Sequence, residues 1–164
     1  MFVMEEEKKQ RKRLTPQQAM IKAQMTCAYQ ERCQQEMRDK LFDWGLHSEE
    51  VESIIADLIS NNFLSEERYA KAFAGGKFRI KKWGRVKIRI ELKKKKISDY
   101  CIRKAMEEID DREYIKTLKE LIEKKGKEIK GLKEYQRNYK IAQYAASRGF
   151  EQDLVFSLLK QEDY

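Results

Sequence analysis

The side chains able to carry chemistry are few: one histidine, His47, three cysteines, Cys27, Cys33 and Cys101, and abundant carboxylates. His47 has no second histidine to work with, so neither a nucleophilic triad nor a metal site can be built around it, and it reads as an exposed residue beside a helix cap. The cysteines are odd in number and lack a Cys-x-x-Cys spacing, which excludes a disulfide framework and a zinc site. Cys101 has apolar neighbours at helical steps and reads as a small buried hydrophobe. The carboxylates fall at helix starts (Glu49, Glu50, Glu66, Glu67) or beside lysines, where they complement the helix dipole and form i,i+4 pairs. Gly75-Gly76 is not a phosphate loop, since no Gly-Lys-Ser/Thr follows, and is expected to interrupt or bend a helix. No catalytic residue, metal ligand or cofactor site follows from these residues, and an enzyme is not expected.

The remaining chemistry is electrostatic. The chain's net charge is +8 over 164 residues. Lys77 to Lys96 alone holds eleven basic residues against one acid, Glu91, a surplus of ten that leaves everything outside it at −2. A field so concentrated attracts polyanions and speeds their encounter. Trp83 and Phe78 sit among the charges; such rings stack on bases, anchor a protein interface or join the core.

Helices must position these groups. A chain 41% hydrophobic and 39% charged, with one proline and seven glycines, lacks the turn chemistry of a β-sandwich and is rich in good helix formers. Residues 1–14 read as a charged mobile tail. Thr15 is a helix N-cap with Pro16 at the first helical position. Met37 and Leu41 share one helix face over Gln34 to Phe42, and Gly45 suits the left-handed residue after it. Ser48 opens a helix whose Val51, Ile54, Ile55 and Leu58 form an apolar stripe. No signal-peptide core follows Met1 to Met4, and no stretch approaches the ~18 apolar residues of a membrane span. A reducing, cytoplasmic setting is expected.

The pattern then repeats. Met37, Leu41, Leu46, Ser48, Val51 and Leu58 lie 51 residues before Ile88, Leu92, Ile97, Asp99, Ile102 and Ile109. Ile141, Ala145, Phe150, Gln152 and Val155 lie 53 residues after Ile88 to Ile102. Helix openings recur as well: Ser65-Glu66-Glu67-Arg68-Tyr69 resembles Asp110-Asp111-Arg112-Glu113-Tyr114. The expected fold is all-α, an elongated tandem array of three three-helix repeats, 15–64, 65–110 (basic) and 111–164. Val86, Ile88, Ile90 and Leu92 alternate with polar residues, the period of a strand. A helix is preferred there, because the matching segments of the other repeats are helical and a lone strand would have no partner.

These residues resemble the RecX family of bacterial RecA regulators. Glu36-Met37-Arg38-Asp39-Lys40-Leu41 followed by Trp44-Gly45-Leu46 resembles the family's Glu-Leu-Arg-x-Lys-Leu…Gly-hydrophobic element. Phe63 to Phe73 (Phe-Leu-Ser-Glu-Glu-Arg-Tyr-Ala-Lys-Ala-Phe) is similar to its Leu-Asp-Asp-Glu-Arg-Phe-Ala…Phe stretch. Trp83-Gly84, Lys87 to Leu92 and Lys96-Ile97-Ser98 look like its Gly-Tyr-Gly-Pro-x-Arg-Ile…Glu-Leu…Lys-Gly-Ile segment. Arg85 stands where many members have proline, Lys96 where many have glycine, and Gly75-Gly76 where larger helix formers are usual. The resemblance covers about residues 16–160 and implies a protein that lies in the groove of the RecA filament on DNA. It also implies that recombinase, ATPase and coprotease activities are dampened without a cofactor.

The expected contact element is Lys81, Lys82, Trp83, Arg85, Lys87, Arg89, Lys93, Lys94, Lys95 and Lys96, with Arg32, Arg38 and Lys40 as the corresponding outer positions of the first repeat. The expected partners are the RecA filament and single- or double-stranded DNA, met by a monomer with no membrane contact. Two other readings stay open: a nucleic-acid-binding helical protein without sequence specificity, and an adaptor between proteins that does not touch DNA.

Overall fold

The structure is a computed structural model that describes residues 13–161, so the expected tail lies outside it apart from Arg13 and Leu14. Among the described residues all regular structure is helical: α1 (Pro16–Tyr29), α2 (Gln34–Asp43), α3 (Ser48–Ser60), α4 (Glu66–Lys81), α5 (Arg85–Lys94), α6 (Asp99–Met106), α7 (Asp111–Glu128), α8 (Glu134–Ser147) and α9 (Gln152–Gln161). The alternating segment is the helix α5. The chain divides into two compact units at Glu66/Glu67.

Local signals in the sequence set the helix starts. The Thr15 hydroxyl accepts from the Gln18 N–H at 3.2 Å while the Gln18 side chain accepts from the Thr15 N–H at 3.1 Å, a reciprocal cap reinforced by Pro16. Ser98 and Asp110 cap α6 and α7 in the same way, accepting from the N–H groups of Cys101 and Glu113. At α3 the cap lies one residue earlier than the sequence suggests. His47 occupies the N-cap, and its own N–H donates to Glu50 at 3.0 Å.

The helix ends show the repetition most directly. After α2, α5 and α8 the chain turns through Gly45, Lys96 and Gly149, with φ of 87°, 59° and 93°. Each turn makes the same pair of bonds: Gly45, Lys96 and Gly149 N–H groups reach Phe42, Lys93 and Ala146, all at 2.9 Å, and Leu46, Ile97 and Phe150 reach Leu41, Leu92 and Ala145. This is the Schellman closure, which satisfies carbonyls that a helix end would otherwise leave open.

In the first unit Ala19, Ala23 and Cys27 of α1 pack with Met37 and Leu41 of α2 and with Val51, Ile54, Ile55 and Leu58 of α3, all buried. In the second unit the core includes Phe78, Ile88, Leu92, Ile102, Tyr114, Leu118, Ile122, Ile141, Ala145, Phe150 and Val155. Cys101 is only half-buried, because Ile102 takes the inward position next to it.

Gly75-Gly76 does not interrupt α4, which continues through both residues. Gly75 is buried and the Arg79 guanidinium lies over it, so a Cβ there would meet Arg79 Nη2 at 2.6 Å. The small residue makes room for a side chain one turn later.

Lys96 and Gly149 occupy the same turn of two repeats, and opposite effects follow. Lys96 holds a left-handed backbone that costs a side-chain-bearing residue about 1 kcal/mol, so Lys96→Gly is expected to raise stability by up to that amount. Gly149→Ala should lower it by about 2 kcal/mol, since its Cβ would collide with Lys87. Urea unfolding of the two variants checks both signs.

Candidate functional site

The basic element is formed where α4 ends and α5 begins. Lys82 takes a left-handed conformation, φ 57°, that stops α4, and the Trp83 N–H reaches back to the Lys77 carbonyl at 3.1 Å. Trp83 is half-buried between two ammonium groups, Lys77 Nζ at 4.9 Å and Lys87 Nζ at 4.4 Å from its ring, with Phe73 packed edge-on at 6.4 Å. These cation–π contacts make Trp83 a holder of lysines. Phe78 lies in the core against Tyr114, ring centroids 5.7 Å apart. Lys81, Lys82, Arg89, Lys93, Lys94 and Lys96 are exposed, and Lys87 and Lys95 are half-buried. Lys94 pairs with Glu91 at 3.1 Å. Val86 and Ile90 lie exposed among the cations.

Arg85 faces inward. Its Nη2 meets Asp111 Oδ1 at 2.5 Å, its Nη1 meets Glu151 Oε2 at 3.3 Å, and its guanidinium lies 3.9 Å from the centroid of the Tyr114 ring. The Arg85 backbone N–H donates to the Tyr114 hydroxyl at 3.1 Å, and that hydroxyl donates to Glu151. Burial, with the Glu151 carboxylate beside it, pushes the Tyr114 hydroxyl well above the usual phenol range. Tyr114 therefore stays a neutral donor.

Backbone contacts complete the junction. The first N–H groups of α5 have no partner within their own helix, and two nearby ones find partners on the turn after α8: Gly84 N–H to Arg148 O at 2.8 Å and Val86 N–H to Gly149 O at 3.0 Å. The Arg148 guanidinium returns to the Lys81 carbonyl. Gly84 and Gly149 approach so closely that a Cβ on Gly84 would overlap the Gly149 backbone.

The expected residues of the first repeat belong to the other compact unit. Arg38 is engaged there, with its Nε at 2.8 Å and its Nη2 at 3.3 Å from the two Glu52 oxygens, tying α2 to α3. That bond holds Glu52 below the usual carboxylate range. Arg32 and Lys40 are half-buried. The structure thus leaves most of the middle-repeat cations exposed and turns Arg85 and Arg38 to internal bonds.

One part of the cationic surface escapes a reading of the middle segment alone. Lys82 shares a groove with Lys124 and Lys125 of α7 and with Tyr144 and Arg148, and two carboxylates of α7, Glu120 and Glu128, line it as well. Lys125 lies 4.6 Å from the Tyr144 ring centroid. The Lys124-Lys125 pair was visible in the sequence, but its placement beside Lys82 depends on the Gly84–Gly149 approach. Among the described residues no three His, Cys, Asp or Glu side chains converge as metal ligands, and no helix is long and apolar enough to cross a membrane.

Comparisons with known proteins agree with this architecture. The family model described as RecX, second three-helix domain, matches residues 65–106, and that described as RecX, third three-helix domain, matches 112–159. A protein named Regulatory protein RecX from Thermotoga petrophila is 30% identical over 139 residues, covering 82% of this chain and 78% of that protein. Its namesake from Lactobacillus johnsonii is 28% identical over 136 residues, covering 83% of this chain. The chain spans 50% of that relative and 60% of one from Clostridium perfringens. The crystal structure of RecX from Lactobacillus salivarius superposes with a TM-score of 0.80 at 24% identity, over 90% of this chain and 95% of that one. At that identity the likeness speaks for the fold: a tandem array of three-helix repeats.

The Tyr114 hydroxyl serves two partners at once, and its removal is informative. Tyr114→Phe leaves the Arg85 N–H without its acceptor and removes one of the two donors to Glu151, with an expected cost of about 1–3 kcal/mol, measurable by chemical denaturation.

Proposed function

The chain belongs to the RecX family, and from that premise we propose that it binds the RecA recombinase filament on DNA and lowers its recombinase, ATPase and coprotease activities. It does so in the cytoplasm, as a monomer, without a cofactor and with no catalytic step of its own. Its working units are the repeats 15–64, 65–110 and 111–164.

The observation that carries this reading is the set of exposed cations at the end of α4 and along α5: Lys81, Lys82, Arg89 and Lys93. They are carried on a backbone fixed by internal bonds, so the main chain needs no further ordering when they meet an anionic surface. Binding that depends on such charges is salt-sensitive. A regulator that contacts neighbouring filament subunits couples them and opposes the rearrangement that turnover requires. A second reading, nucleic-acid binding without sequence specificity, is favoured by the groove lined by Lys82, Lys124, Lys125 and Arg148, whose four cations outnumber its two carboxylates, Glu120 and Glu128. The adaptor reading has no comparable observation behind it.

An ATPase titration of RecA filaments distinguishes the readings. The filament regulator inhibits at substoichiometric protein, whereas a DNA-coating protein needs excess and loses its effect when free DNA is added in surplus. Reversing Lys81, Lys82, Arg89 and Lys93 to Glu, with Arg85 left intact so that the junction survives, is expected to weaken inhibition by about tenfold or more and to flatten its salt dependence. An unchanged titration at two salt concentrations would remove these residues from the contact surface.

A further inference from the structure

We propose that α8, with the loop before it and α9, forms a stacking platform for single-stranded nucleic acid, separate from the cations of α4 and α5. Tyr135 and Tyr139 lie one helical turn apart on α8, 67% and 60% exposed, although each is a large ring that a folded chain would ordinarily cover. Together with Leu132 and with Phe156 of α9, which is 41% exposed, they line an open groove of 560 Å³. Gln136 and Gln143 donate to the Tyr135 and Tyr139 hydroxyls at 3.5 and 3.3 Å and steady the rings. These rings are not buried in the core, to which α8 contributes Ile141, Ala142 and Ala145 instead.

Charge decides what the groove takes. Residues 124–140 carry seven basic residues against two acids, Glu128 and Glu134. Lys125 is paired with Glu128 at 3.4 Å and Lys127 with Glu123 at 3.2 Å. Lys140, in the wall of the groove, and Lys130, two residues before Leu132 of its lining, have no ion pair within 4 Å among the described residues. A neutral or apolar protein segment laid here would desolvate these ammonium groups without compensation. A strand of phosphates neutralises them while its bases meet the rings. Stacking of this kind is tolerant of sequence, and the bases of a duplex, already stacked on each other, cannot use it. The ligand class is therefore single-stranded DNA or RNA.

The test uses the whole chain and a fluorescein-labelled oligothymidylate in an anisotropy titration, with no recombinase present, so its outcome is independent of the filament reading. Tyr135→Ala/Tyr139→Ala is expected to bind at least about tenfold more weakly, from the loss of two stacked rings. Tyr135→Phe/Tyr139→Phe, which keeps both rings, should bind nearly as well as the native protein, and duplex DNA of equal length should compete poorly. Circular dichroism of both variants confirms the fold. The proposal is overturned if the native chain does not bind the oligonucleotide, if the alanine pair binds as the native chain does, or if the phenylalanine pair is as weak as the alanine pair. It is equally overturned if the alanine pair keeps oligonucleotide affinity yet loses inhibition of filaments, which would make the groove a protein-docking site.

Discussion

The second compact unit depends on two backbones meeting at Gly84 and Gly149. A main chain can lie directly on another only where neither bears a side chain and where the polar groups brought together are complementary. Both conditions hold here. The N–H groups that α5 cannot use within itself point at carbonyls that the turn after α8 leaves available. The approach fixes the start of α5 to the end of α8, and the other contacts of the junction follow from it. Arg85 falls between Asp111 and Glu151, Tyr114 lies beneath its guanidinium, and Arg148 reaches the Lys81 carbonyl. Two members of this polar cluster are well satisfied: Arg85, half-buried, has two carboxylates and a ring, and the buried Tyr114 phenol has one donor and one acceptor. A removed partner would leave a desolvated charge, which is why such clusters specify one arrangement.

The same junction explains how so many cations fit on one short stretch. Like charges on adjacent turns repel, and neither α5 nor the end of α4 carries many acids to offset them. The offset is structural. Arg85 is neutralised by acids from α7 and the start of α9, Lys77 and Lys87 share the Trp83 ring, and Lys94 uses Glu91, the single acid of the segment. What remains exposed is spread over two helices and the turn between them.

Much of this was legible in the sequence, and the reasons differ from place to place. The repeats were readable because each helix of the α2, α5 and α8 class ends in one geometry, and the residues that close it recur at fixed steps. The all-helical fold was readable even at α5, where period-2 alternation suggested a strand, because the register with the other repeats outweighed it. The alternation has a physical origin: Ile88 and Leu92 are buried, while Val86 and Ile90 are two surplus aliphatics on the outer face. The inward turn of Arg85 was not legible. Nothing local distinguishes it from Arg89, and its partners lie 26 and 66 residues away. The same holds for Gly75, whose small size serves Arg79 one turn on and not a break in the helix. Reading charge from sequence gives a total; only packing says which charges are already used.

That division has a consequence for the evolution of the surface. A proline at position 85 would lack an N–H. Here that N–H donates to Tyr114, and the side chain binds two carboxylates, so this chain has placed at its junction a group that proline could not supply. Stability and surface charge are thereby carried by different residues of the same segment. Arg85, Trp83 and Gly84 hold the turn, while Lys81, Lys82, Arg89 and Lys93 are exposed on it. Exposed charges with no structural duty can be exchanged at little cost to folding, since isolated surface pairs contribute little. The outer cations of this segment can therefore be exchanged freely, provided that the two glycines and the arginine at the junction stay where they are.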